Sequence, residues 1–115
     1  IPRHIARYTV KKTMEVSASH SVAFSDSGSS EPVHGHNWEI TVWCRSAELD
    51  KDGMVVDFCD IEARIHGRLD HGDLNSLLPF NPTTENLARW ICDNVDKCFK
   101  VEVQECRGNV AIYEK

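Results

Sequence analysis

Residues 8–20 read Tyr-Thr-Val-Lys-Lys-Thr-Met-Glu-Val-Ser-Ala-Ser-His, and residues 34–44 read His-Gly-His-Asn-Trp-Glu-Ile-Thr-Val-Trp-Cys. In the first stretch Tyr8, Val10, Lys12, Met14, Val16, Ala18 and His20 fall on one face of an extended chain, because side chains alternate with a period of two. In the second, His34, His36, Trp38, Ile40, Val42 and Cys44 share one parity, while Asn37, Glu39, Thr41 and Arg45 take the other. The pattern predicts two long strands, one ending in His20 and one beginning with two inward-facing histidines. Paired antiparallel, they bring the end of the first beside the start of the second. The segment between them, Ser25-Asp26-Ser27-Gly28-Ser29-Ser30, is a polar loop too short to link two domains.

Downstream, Asp50-Lys51-Asp52-Gly53 signals a turn, and Asp57 is placed to cap a helix carrying Phe58, Ile61, Ile65 and Leu69. Asn81-Pro82-Thr83-Thr84-Glu85 announces a second helix, with Thr83 or Thr84 as N-cap and Leu87, Trp90, Ile91, Cys92 and Val95 as its buried stripe. Lys100 to Cys106 and Asn109 to Glu114 flank Arg107-Gly108 and predict a closing hairpin. The order ββααββ predicts an α+β architecture, an antiparallel four-stranded sheet with both helices on one face. No internal repeat appears.

The 115 residues are expected to form one domain, 1–115, able to bury a core of its own. With 13 basic against 18 acidic residues and a formal charge of −5, the chain carries no electrostatic footprint for nucleic acid. No apolar run approaches the roughly 20 residues that cross a bilayer, and Ile1-Pro2-Arg3-His4 lacks the apolar stretch of a secretory signal. A soluble, cytoplasmic protein is expected. The five cysteines, Cys44, Cys59, Cys92, Cys98 and Cys106, are odd in number and form no Cys-x-x-Cys pair. They read as reduced thiols serving as small hydrophobes rather than as a disulfide or thiolate-metal framework.

Four constellations carry chemistry. His34 and His36, at i and i+2 on a strand, point the same way, and His20 from the neighbouring strand completes a three-nitrogen site for zinc with one position open. A lone histidine on an apolar face is more commonly a hydrogen-bonded core residue, but the parity match across both strands favours the metal. His4 and His66 have no such partners and read as surface residues. Asp70-His71 is either a proton-transfer pair or a turn cap beside a solvated imidazole. Glu105 shares parity with Val101 and Val103, so a carboxylate on an apolar face needs a partner, either a structural arginine or a ligand with adjacent N–H donors such as a pterin or guanine edge. Glu31, three residues before His34, is either a solvated loop glutamate or a group placed to move a proton at a metal-bound hydroxyl.

Ser17-Ala18-Ser19-His20, His34-Gly35-His36-Asn37, Gly53-Met54-Val55-Val56-Asp57-Phe58, Leu69-Asp70-His71 through Leu74-Asn75, Asn81-Pro82-Thr83-Thr84-Glu85-Asn86 and Val103-Gln104-Glu105 with Ile112-Tyr113 occur in this order over nearly the whole chain. Together they resemble the 6-pyruvoyltetrahydropterin synthase and 6-carboxytetrahydropterin synthase family. The resemblance implies the T-fold, whose subunits associate through their sheets into a barrel, usually a homo-hexamer of two trimers with active sites between subunits. It also implies Zn2+ on His20, His34 and His36, proton transfer by Asp70 and His71, and pterin anchoring by Glu105 with help from Thr83 and Thr84.

One departure bears on the reaction. Where the family's pyruvoyl and carboxy synthases place a catalytic cysteine before His-Gly-His, this chain has Ser30 and Gly28, and Glu31 matches a Glu-x-x-His-Gly-His variant. That variant resembles the branch converting 7,8-dihydroneopterin triphosphate to 6-hydroxymethyl-7,8-dihydropterin for folate synthesis. The expectation is a zinc-dependent carbon–carbon lyase with Glu31 as base; the alternatives are a 6-carboxy- or 6-pyruvoyl-tetrahydropterin synthase of queuosine or tetrahydrobiopterin type, and a non-catalytic pterin- or metal-binding module. A second departure, Trp38 where tyrosine is common, is expected to alter packing more than chemistry.

Overall fold

The computed structural model describes residues 6–115, so His4 lies outside the described residues. Strands β1 (Tyr8–His20) and β4 (His34–Ser46) pair antiparallel along their full length, from Tyr8 opposite Ser46 to His20 opposite His34. The alternation works as read: Met14, Val16, Ala18 and His20 on β1 and Trp38, Ile40, Val42 and Cys44 on β4 are buried on the same face. The connection between them is itself ordered. Short strands β2 (Ala23–Phe24) and β3 (Ser29–Ser30) pair antiparallel around a turn in which Gly28 has φ +67°.

After the turn at Gly53, helix α1 (Phe58–Ile61) is capped by Asp57, which accepts from the Cys59 N–H at 2.8 Å. The helical path continues through a π-helical turn, Glu62–His66, into α2 (Gly67–Leu69). Ile61, Ile65 and Leu69 are buried as expected, whereas Phe58, on the first turn, is exposed. Strand β5 (Gly72–Asp73) and helix α3 (Leu74–Leu77) follow, then α4 (Thr84–Asn94). Thr83 is the N-cap of α4; its hydroxyl accepts from the Asn86 N–H at 3.1 Å. Leu87, Ala88, Ile91, Cys92 and Val95 are buried. Trp90 is only half-buried, its ring lying under the Arg68 guanidinium at 5.1 Å. Strands β6 (Cys98–Cys106) and β7 (Asn109–Glu114) close the sheet as a hairpin turning at Gly108, where φ is +90°.

The sheet order is β5-β1-β4-β6-β7. The four long strands form the expected antiparallel sheet, and the α4, α1 and α2 side chains join its inner face in a single core that includes Trp38, Ile40, Val42, Ile61, Ile65, Leu74, Leu87, Ile91 and Val101. Burying such a side chain contributes roughly 1.5–3 kcal/mol, so this face is the main stabilising layer. The fifth strand corrects the four-stranded reading. β5 is only two residues long, pairing parallel with Ala18 and Ser19, and two residues carry no periodicity to read. All five cysteines are free; Cys44, Cys92 and Cys98 are buried, and burial pushes the Cys92 thiol up to about 12. The three buried thiols behave as apolar core atoms, in line with the sequence reading, whereas Cys59 and Cys106 are exposed and do not. Among the described residues no helix is long and apolar enough to cross a membrane.

Candidate metal centre and its cleft

The pairing of β1 with β4 puts His20 directly opposite His34 and Ala18 opposite His36, so three imidazoles converge on the inner face at one end of the sheet. Their ring centroids are 4.7 to 5.1 Å apart. His20 is almost wholly buried. Its Nδ1 lies 2.8 Å from the Pro82 carbonyl, and the His34 Nδ1 lies 2.8 Å from the Pro32 carbonyl. A carbonyl only accepts, so both Nδ1 atoms carry a proton, which leaves the inward-facing Nε2 of each ring as the atom that can ligate. The two Nε2 atoms face each other at 3.1 Å. The buried His36 Nε2 makes no well-directed hydrogen bond, although a carboxylate oxygen lies near it. Burial holds His36 below its ordinary value of 6.5; Glu105 pulls it up, and His20 and His34 push it further down. A neutral imidazole is the ligating form.

Glu105 completes the cluster. Its Oε1 is 3.1 Å from the His36 Nε2 and 3.3 Å from the His20 Nε2. Ligand atoms at 2.0–2.1 Å from a tetrahedral zinc are about 3.3 Å from one another, so unprotonated nitrogens and a carboxylate at these separations fit a divalent ion between them. The four side chains offer atoms that all lie within 4.8 Å of one another. The Glu105 Oε1 thus lies within reach of the position the sequence left open. The pairing of β6 with β7 is irregular between Gln104 and Cys106, and such a bulge re-aims the side chain it carries. The partner of this half-buried carboxylate is therefore the histidine cluster, not an arginine.

Glu31 approaches the same centre from the loop. Its Oε1 is 3.8 Å from the Nε2 atoms of both His20 and His34 and accepts from the Val22 N–H at 3.0 Å. Its own N–H donates to the Val22 carbonyl at 3.0 Å. The carboxylate is thus held by the backbone at the edge of the histidine cluster rather than swinging in solvent. Trp38 is fully buried, packs its ring against His20 and His36 at 4.9 and 5.2 Å, and donates its indole N–H to the Ala18 carbonyl at 3.1 Å.

A cleft of about 460 Å³ opens beside Glu105, lined also by Thr84, Glu85, Gly108, Asn109 and Ile112. Of the two threonines, Thr84 faces this cleft while Thr83 has its hydroxyl committed to capping α4. Glu85 was not singled out from the sequence; its position next to Thr84 at a helix start offered a helix-capping explanation that hid it.

Asp70 and His71 are together but stand apart from the cluster. The Asp70 Oδ1 accepts from the Ser17 N–H at 2.9 Å, which holds this carboxyl below its ordinary range with help from His71 and His66. Its Oδ2 lies 3.3 Å from the His71 Nε2. The His71 N–H donates to the Ser17 carbonyl at 2.7 Å, and its left-handed backbone, φ 60°, throws the ring outward until the side chain is 85% exposed. Ser17 is three residues before His20, roughly 10 Å along a strand. His66 stays outside the histidine cluster, as read, but is tied to neighbouring carboxylates: its Nε2 is 3.4 Å from the same Asp70 oxygen and its Nδ1 3.8 Å from Glu62. The i, i+4 spacings of Glu62, His66 and Asp70 were the available signal.

Residues 9–115 match the family model described as 6-pyruvoyl tetrahydropterin synthase. The chain is 30% identical over 128 residues to the 6-carboxy-5,6,7,8-tetrahydropterin synthase of Bacillus subtilis, covering 96% of this chain and 88% of that one. It is 39% identical over 70 residues to the dihydroneopterin monophosphate aldolase of Pyrococcus furiosus, covering 58% of this chain and 59% of that one. A solved 6-pyruvoyltetrahydropterin synthase from Plasmodium vivax, a catalytic-residue mutant with glutamate replaced by alanine, superposes with a TM-score of 0.70 at 15% identity, over 96% of this chain and 98% of that one. Fold and relatives together define a T-fold enzyme. The chain belongs to the 6-pyruvoyl tetrahydropterin synthase family.

Proposed function

We propose that this chain is a cytoplasmic, single-domain, zinc-dependent lyase that cleaves the side chain of 7,8-dihydroneopterin triphosphate to release 6-hydroxymethyl-7,8-dihydropterin. The observation that carries this reading is the Glu31 carboxylate, held by the Val22 N–H at the edge of the histidine cluster in a loop that contains no cysteine. The Plasmodium vivax protein, whose catalytic residue is a glutamate, and the Pyrococcus furiosus aldolase support it.

His20, His34 and His36 hold the ion, with Glu105 within reach of the same position. Bound there, a zinc ion supplies Lewis acidity that makes the substrate's vicinal hydroxyls more acidic. Glu31 accepts the proton of the 2′ hydroxyl. The C1′–C2′ bond breaks, the C2′ oxygen becomes an aldehyde, and the pterin ring takes up the electron pair. The Asp70–His71 pair returns a proton to C1′, leaving a hydroxymethyl group. The cleft lined by Thr84, Glu85 and Glu105 receives the ring, whose N–H edge matches a carboxylate, and Glu105 is its anchor. Because the His71 ring points away from the subunit, the pair serves the site of a neighbouring copy in a homo-hexamer.

Zinc-loaded protein incubated with dihydroneopterin triphosphate and, in parallel, with the monophosphate is expected to yield hydroxymethyldihydropterin by mass spectrometry. A different pterin product overturns the lyase. The match to the Bacillus subtilis enzyme, which spans nearly the whole chain, favours a second reading, a 6-carboxy-tetrahydropterin synthase in which Glu31 replaces the cysteine.

A further inference from the structure

The chain following His20 is held on both edges, and the two edges differ in kind. On one edge, Val22 exchanges its N–H and carbonyl with the carboxylate and backbone of Glu31, and the Ser21 hydroxyl donates to the Glu31 carbonyl. On the other, two asparagine side chains take the place of a strand. The Asn75 Oδ1 accepts from the Ser21 N–H at 2.8 Å and its Nδ2 donates to the Ser21 carbonyl at 2.9 Å. The Asn81 Oδ1 accepts from the Ala23 N–H at 2.9 Å and its Nδ2 donates to the Ala23 carbonyl at 3.0 Å. A side-chain amide, with one acceptor and two donors, is the group that satisfies both polar atoms of one extended residue; a carboxylate has no donor for the carbonyl.

We propose that Asn75 and Asn81 are positioning residues for Glu31, clamping Ser21 and Ala23 so that the intervening Val22 N–H holds the carboxylate at the metal cluster; this rests on the reading of Glu31 as the base. The clamps are anchored in turn. Asn75 lies in the first turn of α3, where its N–H donates to Asp73 at 3.3 Å, and the Asn81 carbonyl accepts from the Asn86 Nδ2 at 3.0 Å in α4. The only regular structure in the loop itself is the two-residue pairing of β2 with β3, far below what holds an isolated hairpin together. The loop's placement is therefore borrowed from the helices through four side-chain hydrogen bonds.

The test is a double-mutant cycle on the zinc-loaded full chain, comparing Asn75→Ala and Asn81→Ala in the parent and in Glu31→Gln. Each asparagine variant is expected to lose about ten- to a hundredfold in kcat, with KM and zinc content nearly unchanged, because small misplacements of a reacting group are costly. In the Glu31→Gln background the same changes are expected to cost less than about twofold, since no base remains to be misplaced. Asn75→Asp, nearly isosteric, replaces the donor to the Ser21 carbonyl with a charged acceptor; it guards against a variant that fails to fold and should show the same non-additivity. Equal losses in both backgrounds, or undiminished kcat in folded variants, overturn the inference while leaving the lyase standing. An unchanged kcat in Glu31→Gln alone overturns both.

Discussion

Glu31 sits 3.8 Å from two of the three converging nitrogens and takes a backbone hydrogen bond, so removing its charge while keeping its shape isolates the chemistry from the scaffold. Glu31→Gln is expected to lower turnover by roughly 10²- to 10⁴-fold with zinc content preserved, read by product assay and elemental analysis. The His36 imidazole provides a second handle. Its folded pKa is depressed, so above about 6.5 folded and unfolded chains both carry it neutral; below that the unfolded chain takes the proton first, and the fold loses support as pH falls. Protons also compete with the ion for all three rings. Zinc content measured after dialysis should hold steady above about pH 7 and decline on descending through about 6.5, with the apoprotein melting temperature falling in the same window. The three histidines were legible because parity on two adjacent strands is a strong geometric constraint: it fixes which side chains meet before any distance is known. Glu105 was half legible. Its parity gave the face, but the bulge that turns it onto His36 has no sequence signature, so its nearest partner was not foreseen.

The segment from Asn81 to Asn86 shows how a helix start becomes part of the candidate metal centre. Asn81 clamps Ala23, the Pro82 carbonyl fixes the His20 tautomer, Thr83 caps α4 and Asn86 ties back to the Asn81 carbonyl. Thr83→Ala is expected to cost about 1 kcal/mol, a fall of several degrees in melting temperature, through the lost cap. Because the same turn presents the Pro82 carbonyl, zinc affinity in a chelator competition should also weaken severalfold, which a cap elsewhere in the fold would not do. The long strands and α4 were readable from periodicity and capping residues. The π-helical turn at Glu62–His66 and the two-residue β5 were not, since neither is long enough to establish a repeat, and both are set by how the chain packs against β1.

At the scale of the whole molecule, the proposed catalytic groups are divided. Glu31 and the histidines gather at one end of β1 and β4, while His71, its backbone bonded to Ser17, holds its ring 85% exposed. The outer edge strand β7 exposes Val110 and Ile112, apolar side chains suited to contact with another copy. If one copy supplies Glu31 and the cluster while its neighbour supplies Asp70 and His71, two inactive variants can rescue each other. Glu31→Gln and His71→Ala proteins, each nearly inactive alone, should regain activity when unfolded and refolded together at equal concentration. Random mixing places an intact Glu31 opposite an intact His71 in about a quarter of the sites, so close to 25% of parental activity is expected. Recovery no greater than the sum of the separate variants would show that each subunit's site draws on its own His71, and would require the exposed ring to fold back across roughly 10 Å of strand to reach the cluster.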